Sequence, residues 1–600
     1  MSTDSTQIDS SRSPFAPNLI SDSGGYPEKR TGWRVLYNLE APINGIYRGV
    51  IDNVEHVIIH ANDKLYHWDG INEPIVFSGS YHNGRGTSFC LQNKLWILTG
   101  EEYLVYDGSE LKNVQDIAYI PTTTISKSPA DPQSGTDYEN VNLLQPKRKN
   151  SFQGDASTKE YQLDVTNIDN TTVTVTIDDE EKNDGFTVDY ITGKVTFTSA
   201  PGKPKIDGQD NVIITFSKTI SGYSDRIKKC TISTLYGVGN NDRAFITGNP
   251  DYPATDWWCW FQNPSYFPDQ NYADIGPQSA SIMGYSKIGS YLAIHKQSNE
   301  QDATIYLRSY ELVSEPTETS IEKVAFPVQQ GVSGVGAIST HAFANLIDEP
   351  LFLSRTGIYA LTSSTITAER TTQNRSYYID AQLTKENGLE KATAIQWNGY
   401  YLLCVNSHCY VLDGRQNKSY KPQSNGNYVY ECYYWDNIPA VCFMERDGDL
   451  FFGSEDGKFC RFNNDIPGMA KYNDNGVPIV CYWSTKADDD GDFMSLKTMV
   501  KRGSGVMIKP YTRSSAKIVI RTEKDFGSEI KSENMDIFDW EDIDFSRFTF
   551  HSNDAPQVVP FNTKIKKYIT MQILIKNEAL SEGFGVFGII KRYMKGNYVK

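Results

Sequence analysis

No stretch of this 600-residue chain is apolar over the roughly 18 residues that a membrane-spanning helix requires. A transmembrane helix is therefore not expected. Apolar residues at i, i+3, i+4, i+7 spacing are also missing over any long run, which argues against a helical core and for an all-β or nearly all-β chain. Cysteine is scarce and odd in number, nine in all, so no disulfide framework is expected and the thiols read as reduced and mostly buried. The opening Met-Ser-Thr-Asp-Ser-Thr-Gln lacks a charged leader and an apolar segment, so a secretory signal is not expected and folding in a cytoplasm is. Cations are in deficit: 58 Lys and Arg face 74 Asp and Glu, a formal net charge of −16. That balance argues against tight wrapping of DNA, whose affinity comes mainly from Lys and Arg. It leaves room for a channel in which like charge keeps DNA from sticking.

Catalytic signatures are equally sparse. The eight histidines do not cluster; His56 and His60 lie on one face of a predicted strand, about 13 Å apart by strand rise, and read as packing or solvent-facing. Cys404 and Cys409 flank His408, but a zinc site needs a second pair with matching spacing, which Cys432 and Cys442 do not supply. Asp488-Asp489-Asp490-Gly491-Asp492 resembles a calcium loop, yet counting back from Gly491 puts Lys486 at position 1, so the EF-hand pattern fails. A looser calcium site or a solvated turn remain. Gly237-Val238-Gly239 lacks the rest of a phosphate loop, and no Gly-x-Ser-x-Gly elbow occurs. The expectation is a protein that is not an enzyme, with no catalytic, cofactor-binding or metal residues and no cofactor.

What the chain has in plenty is aromatic residues (37 Tyr, 27 Phe, 10 Trp) and turn formers, including 45 Gly. That mixture favours strands joined by tight turns. Hairpins recur. Residues 56–60 and 64–68 flank a turn at Asn62-Asp63 and end in Asp69-Gly70. Residues 88–91, 95–98 and 103–106 follow, ending in Asp107-Gly108. From Gly70 to Gly108 is 38 residues, close to the roughly 40–45 of a four-stranded propeller blade. Looser copies lie at 351–361, at 400–412 ending in Asp413-Gly414, and at 449–462. Such hairpins bury one face only against their neighbours, so a β-propeller is predicted over 18–124 and 226–475; unrelated hairpins in sandwiches are the alternative. Residues 1–17 read as a flexible arm.

The pattern breaks at 125–225. After a polar linker at 131–149, short alternating strands with turns at Thr192-Gly193 and Asp207-Gly208 predict an inserted β-sandwich. Twelve acids against six lysines over 151–220 make it an acidic projection. Beyond 476 the blade endings stop, and strands near 480–485, 506–508, 516–521 and 568–575 predict a separate C-terminal β domain over 476–600. Its last residues carry Lys591, Arg592, Lys595 and Lys600, a basic end that sits on an acidic neighbouring subunit or in solvent.

Residues 18–34 hold the remaining signal. Gly24, Gly25 and Gly32 read as backbone punctuation, and Tyr26 and Trp33 as aromatic anchors. Lys29, Arg30 and Arg34 read either as donors to a neighbouring chain's carboxylates or as part of a turn packed on its own domain. This stretch resembles the opening of the β-propeller tail hub, nozzle or DNA-stabilisation (tail tubular) proteins of short-tailed bacteriophages. Asn18 matches their asparagine, Gly24-Gly25 their turn, and Lys29-Arg30-Thr31-Gly32 their Lys-Arg-Pro-Gly, with Thr31 replacing a proline and leaving the turn less rigid. A second segment, Thr247-Gly248-Asn249-Pro250 with Tyr266-Phe267-Pro268, is similar to Ser/Thr-Gly-Asn-Pro and Tyr-Phe-Pro elements of the same proteins. Its Pro- and aromatic-rich loop is either a rigid subunit contact or packed on its own blade. The resemblance implies a structural virion protein assembled in the host cytoplasm. It would form a homo-oligomeric ring, typically of six copies, beside a portal or adaptor ring and tail fibres or spikes, with genomic DNA passing through and retained until ejection. The alternative is a host-surface glycan-binding or carbohydrate-active propeller, motivated by Trp257, Trp258 and Trp260.

Overall fold

A computed structural model describes residues 8–22, 24–238, 241–299, 302–312, 324–363, 370–416, 419–420, 428–524, 532–538, 557–561 and 564–599. The chain is nearly all β, and its sheets are those of a β-propeller with an inserted β-sandwich and a C-terminal β domain. It divides into two compact units, residues 1–46 with 337–600, and residues 47–336.

Within 47–336, four antiparallel sheets of four strands each span 43–76 (the first strand starting just before the unit), 87–113, 232–274 and 282–332. Each is a chain-order meander, apart from a short excursion before the last strand of the fourth. The turns explain why. Gln92 and Asn93 both take left-handed φ, 54° and 55°, and Asp52 and Asn53 do the same at 49° and 61°, the backbone that matches the twist of paired strands. The Asp-Gly endings have a shared cause. Asp69 Oδ1 accepts from the backbone N–H groups of Ile71 and Asn72 (2.8 and 2.7 Å), and Asp107 Oδ1 from those of Ser109 and Glu110 (3.0 and 2.9 Å). The glycine that follows each sits at φ 93° and 97°, open to Gly without a Cβ penalty. These backbone donors draw both carboxyls down to about 2.

The insert is a sandwich of a six-stranded and a three-stranded sheet over 122–217. Its core packs Phe152, Tyr161 and Phe197 edge to face, with centroids 5.1 and 4.9 Å apart. Two details differ from the sequence reading. The polar stretch 131–149 is not linker throughout, because Lys147–Phe152 is a strand. It also runs parallel to Thr122–Lys127, a pairing that hairpin logic does not reach.

The other unit holds three four-stranded sheets: 344–374, 393–435, and 440–462 completed by Trp33–Asn38. The last is closed from the far end of the chain, Trp33 lying opposite Phe462 and Arg34 opposite Arg461. The C-terminal domain contributes one sheet of four strands and two of three around a core that includes Met499, Ile518, Tyr568 and Ile573. Residues 8–17, predicted as part of a flexible arm, are packed. Ile8 is buried, Arg12 pairs with Glu431 at 2.6 Å and stands over the Tyr378 ring, and Phe15 meets Tyr434 and Tyr482. Residues 1–7 lie outside the described residues.

Candidate functional site: an amino-terminal clasp

The stretch that carries the family likeness is built inward. Asn18 is fully buried at φ 57°, a conformation asparagine tolerates better than most residues. Its amide nitrogen donates to Asp436 Oδ1 and to the Val480 carbonyl (2.5 and 2.8 Å), and its Oδ1 accepts from Arg30 Nε and the Asp436 backbone N–H (2.9 and 3.0 Å). Arg30 is 1% exposed and uses all five of its N–H groups. Nε serves Asn18, the two terminal nitrogens grip Asp474 at 2.8 and 2.7 Å, and the remaining bonds reach the carbonyls of Thr31 and Asp436. Asp474 is as buried as its partner and also accepts from Asn437. A buried carboxylate and guanidinium persist only when so completely satisfied.

The flanking residues extend the clasp. Lys29 is buried and donates to Asn577 Oδ1 at 2.7 Å, while its backbone N–H donates to the Phe584 carbonyl, tying the segment to the C-terminal domain. Burial lowers its ammonium pKa. Arg34 grips Asp465 with two bonds of 2.8 Å. The Thr31 hydroxyl donates to Asn464, a side-chain tether for this turn. Gly32 is required by contact: a Cβ there would lie 1.7 Å from the Asn473 carbonyl oxygen. Trp33 is buried and donates to the Asn437 carbonyl, whereas Tyr26, the other expected anchor, is 44% exposed and meets Phe587 edge to face. Lys29, Arg30 and Arg34 therefore spend their donors on carboxylates and carbonyls of their own unit, and the reading of them as donors to a neighbouring chain is corrected.

Beside the clasp lies a cavity of about 860 Å³, lined by Leu19, Tyr26, Tyr433, Trp483, Ile573 and Phe587 among others. Its charged members are already engaged, Arg12 with Glu431 and Lys591 with Asp488. The arrangement holds chain segments together and leaves little charge to polarise a substrate.

The other residues singled out in the sequence fall elsewhere. His60 is buried against the Tyr47 hydroxyl, and burial lowers its pKa to about 4. His56 Nδ1 and His67 Nε2 stand 3.0 Å apart across a hairpin, a juxtaposition the sequence reading missed because it followed one strand. Cys404 and Cys409 face each other across the hairpin of Tyr400–Val405 and His408–Asp413, and His408 pairs with Glu386 at 2.6 Å. All nine cysteines are unbridged, seven of them buried. In the acidic loop, Asp488 and Asp490 share the Lys591 ammonium, and Lys595 reaches Asp492 at 3.2 Å. In the basic end, Tyr593–Tyr598 is a strand paired with Ser495–Met499, Lys591 and Lys595 sit on acids of their own domain, and Arg592 is exposed. Lys600 and Gly239 lie outside the described residues.

The aromatic segment at 245–276 is packed on its own sheets. Trp257 is buried, and Trp258 stacks on Phe245 with the Arg308 guanidinium near both rings. Trp260 leans on Tyr266. Asn249 caps the short helix Tyr223–Lys228 by donating to the Asp225 and Arg226 carbonyls. Asp256, next to Trp257, is held by Arg308 through two bonds and by the Tyr285 hydroxyl, all fully or nearly buried. The three tryptophans do not form an open platform for a sugar.

No family model and no curated protein matches the sequence. Among solved structures, similarity extends to the computationally designed Ika8 protein (9% identity, 72% of this chain and 99% of that one, TM-score 0.31). It extends also to virginiamycin B lyase from Staphylococcus aureus (8%, 72% and 98%, TM-score 0.34). A third is BamB from Moraxella catarrhalis (10%, 76% and 94%, TM-score 0.30). Overlap this loose says nothing about what the chain binds or does.

Proposed function

We propose that this chain is a structural subunit of a short phage tail, a hub or nozzle component of a homo-oligomeric ring around the DNA exit channel that retains the genome until ejection. The observation that carries the reading is the clasp. The residues that give the sequence its likeness to tail hub proteins, Asn18, Lys29, Arg30 and Gly32, are the ones the fold needs to lock its first strand into place. A motif spent on assembly of the scaffold, with the closing strand directly behind it, suits a subunit whose task is mechanical: to stay closed while a charged polymer passes. The acidic composition (net charge −16) supports a wall that DNA slides along without adhering.

The test is direct. Purified full-length chain is imaged by negative-stain electron microscopy and sized by analytical ultracentrifugation. Closed rings with a hole wide enough for a DNA duplex are expected. Monomers at every concentration, or turnover of a polysaccharide abolished by one carboxylate change, overturn the proposal.

A further inference from the structure

A cationic surface lies on the C-terminal domain. Around one end of the sheet formed by Lys566–Tyr568, Ser495–Met499 and Tyr593–Tyr598, six cations are exposed: Lys501, Arg502, Lys564, Lys566, Lys567 and Arg592. The backbone gathers them. The Met499 N–H donates to the Ile565 carbonyl, the Val500 N–H to the Arg592 carbonyl, and the Arg592 N–H to Ser504 Oγ, so the turn at 500–504 is stapled between the other two segments. The Arg592 guanidinium lies over Gly503, and Lys566 sits opposite Thr498, whose other neighbour is Met594. None of the six meets a carboxylate among the described residues, whereas Lys591 and Lys595 nearby do. Met594 and Tyr598, 56% and 76% exposed, add apolar surface on the outer strand of the same sheet.

Six cations that meet no carboxylate among the described residues, on a chain of net charge −16, raise the local potential and select for an anionic partner. The same chain supplies one. In the insert, Asp178, Asp179, Glu180, Glu181 and Asp184 fall within seven residues around the hairpin of Thr174–Ile177 and Glu180–Lys182, with Lys182 the single cation of the run. All but Asp178 are exposed. Basic and acidic surfaces on one chain are present in equal number at any concentration. They sit on different domains, so a contact between them on two copies joins unlike surfaces and is head-to-tail, the kind that generates rings when the rotation closes. A long polyanion such as DNA meets the repulsion of the rest of the surface; a hairpin tip need only approach the patch.

We infer that the basic end of the C-terminal domain docks the acidic insert hairpin of a second copy of this chain. The inference deepens the ring proposed above and rests on it. Two variants of the full chain test it: Lys566→Glu with Lys567→Glu and Arg592→Glu, and Asp179→Lys with Glu180→Lys and Glu181→Lys. All six positions are on the surface, so each variant should keep the wild-type circular dichroism and melting curve. Each alone should self-associate at least about 10-fold more weakly, since several rim pairs turn from attraction to repulsion. An equimolar mixture should recover mixed assemblies. Wild-type association should weaken as salt rises. Variants that assemble like wild type, or a mixture that fails to recover, overturn this contact while leaving the ring standing. Wild type that never assembles removes both. Loss of binding to a labelled DNA duplex by the Lys566/Lys567/Arg592 variant, with assembly unchanged, assigns the patch to nucleic acid and also overturns the inference.

Discussion

Truncating Arg30 is the sharpest perturbation the clasp offers. Arg30→Ala removes five hydrogen bonds and leaves Asp474, 1% exposed, as a buried carboxylate with Asn437 as its remaining side-chain donor. It also strips Asn18 Oδ1 of one of its two donors. Breaking a buried ion pair by deleting one partner costs about 3–5 kcal/mol, because the surviving charge stays desolvated. For a cooperative unit of about 310 residues, an unfolding entropy of roughly 2.1 cal/mol/K per residue converts this to a melting shift of about 5–8 °C. The assay is differential scanning calorimetry with urea melts as a second measure. Arg30→Lys should fall between wild type and alanine, since an ammonium has three donors and no planar fork. Arg30→Met with Asp474→Leu should recover much of the loss, as replacing both members of a buried pair does elsewhere. An alanine variant within about 1 kcal/mol of wild type, below the range for a broken buried pair, refutes the reasoning. So does a double variant no better than either single.

Two glycines separate steric need from backbone strain. Gly32→Ala should destabilise severely, because its Cβ meets the Asn473 carbonyl oxygen at 1.7 Å. Gly25→Ala, at φ 84° with nothing nearer than Gln416 at 3.9 Å, should cost only about 1–2 kcal/mol of left-handed strain; similar urea midpoints for the two would contradict this. The unit 47–336 should weaken as pH falls below 6.5, because burial holds His60 at about 4 and His295 at about 3. Both stay neutral when folded and take up protons once unfolded, so the stability they leave intact above pH 6.5 is lost towards acid, at up to about 2.7 kcal/mol per pH unit with both sites titrating. His60→Gln and His295→Gln should flatten the slope between pH 6.5 and 5, and an unchanged slope rules the histidines out. Native protein should react with a thiol reagent at Cys90 and Cys432 at most, against all nine after denaturation; more native sites would show that the buried seven are not enclosed.

Much of the site was written in local chemistry and still unreadable as a site. Asn18, Gly32 and the cations at 29, 30 and 34 stand out in the sequence, but their partners, Asp436, Asp474, Asn577 and Asp465, lie more than 400 residues away. Nothing in the spacing distinguishes a donor meant for another chain from one folded inward. The partners of the acidic loop at 488–492 were out of reach for the same reason, its counter-charges arriving from Lys591 and Lys595.

By itself the amino-acid order determined that the chain is β and where its hairpins turn. Alternation, aromatic strands and Asx or Gly at positions needing left-handed φ act over two to five residues, and an Asp that binds the N–H groups two and three residues on, as Asp69 and Asp107 do, needs no distant help. Only the tertiary structure decided that Trp33–Asn38 completes the sheet of 440–462, that 122–127 runs parallel to 147–152, and that the basic opening is a buried lock. Those outcomes are set by which surfaces bury most apolar area and satisfy every buried charge, a condition on the whole unit that no local pattern records.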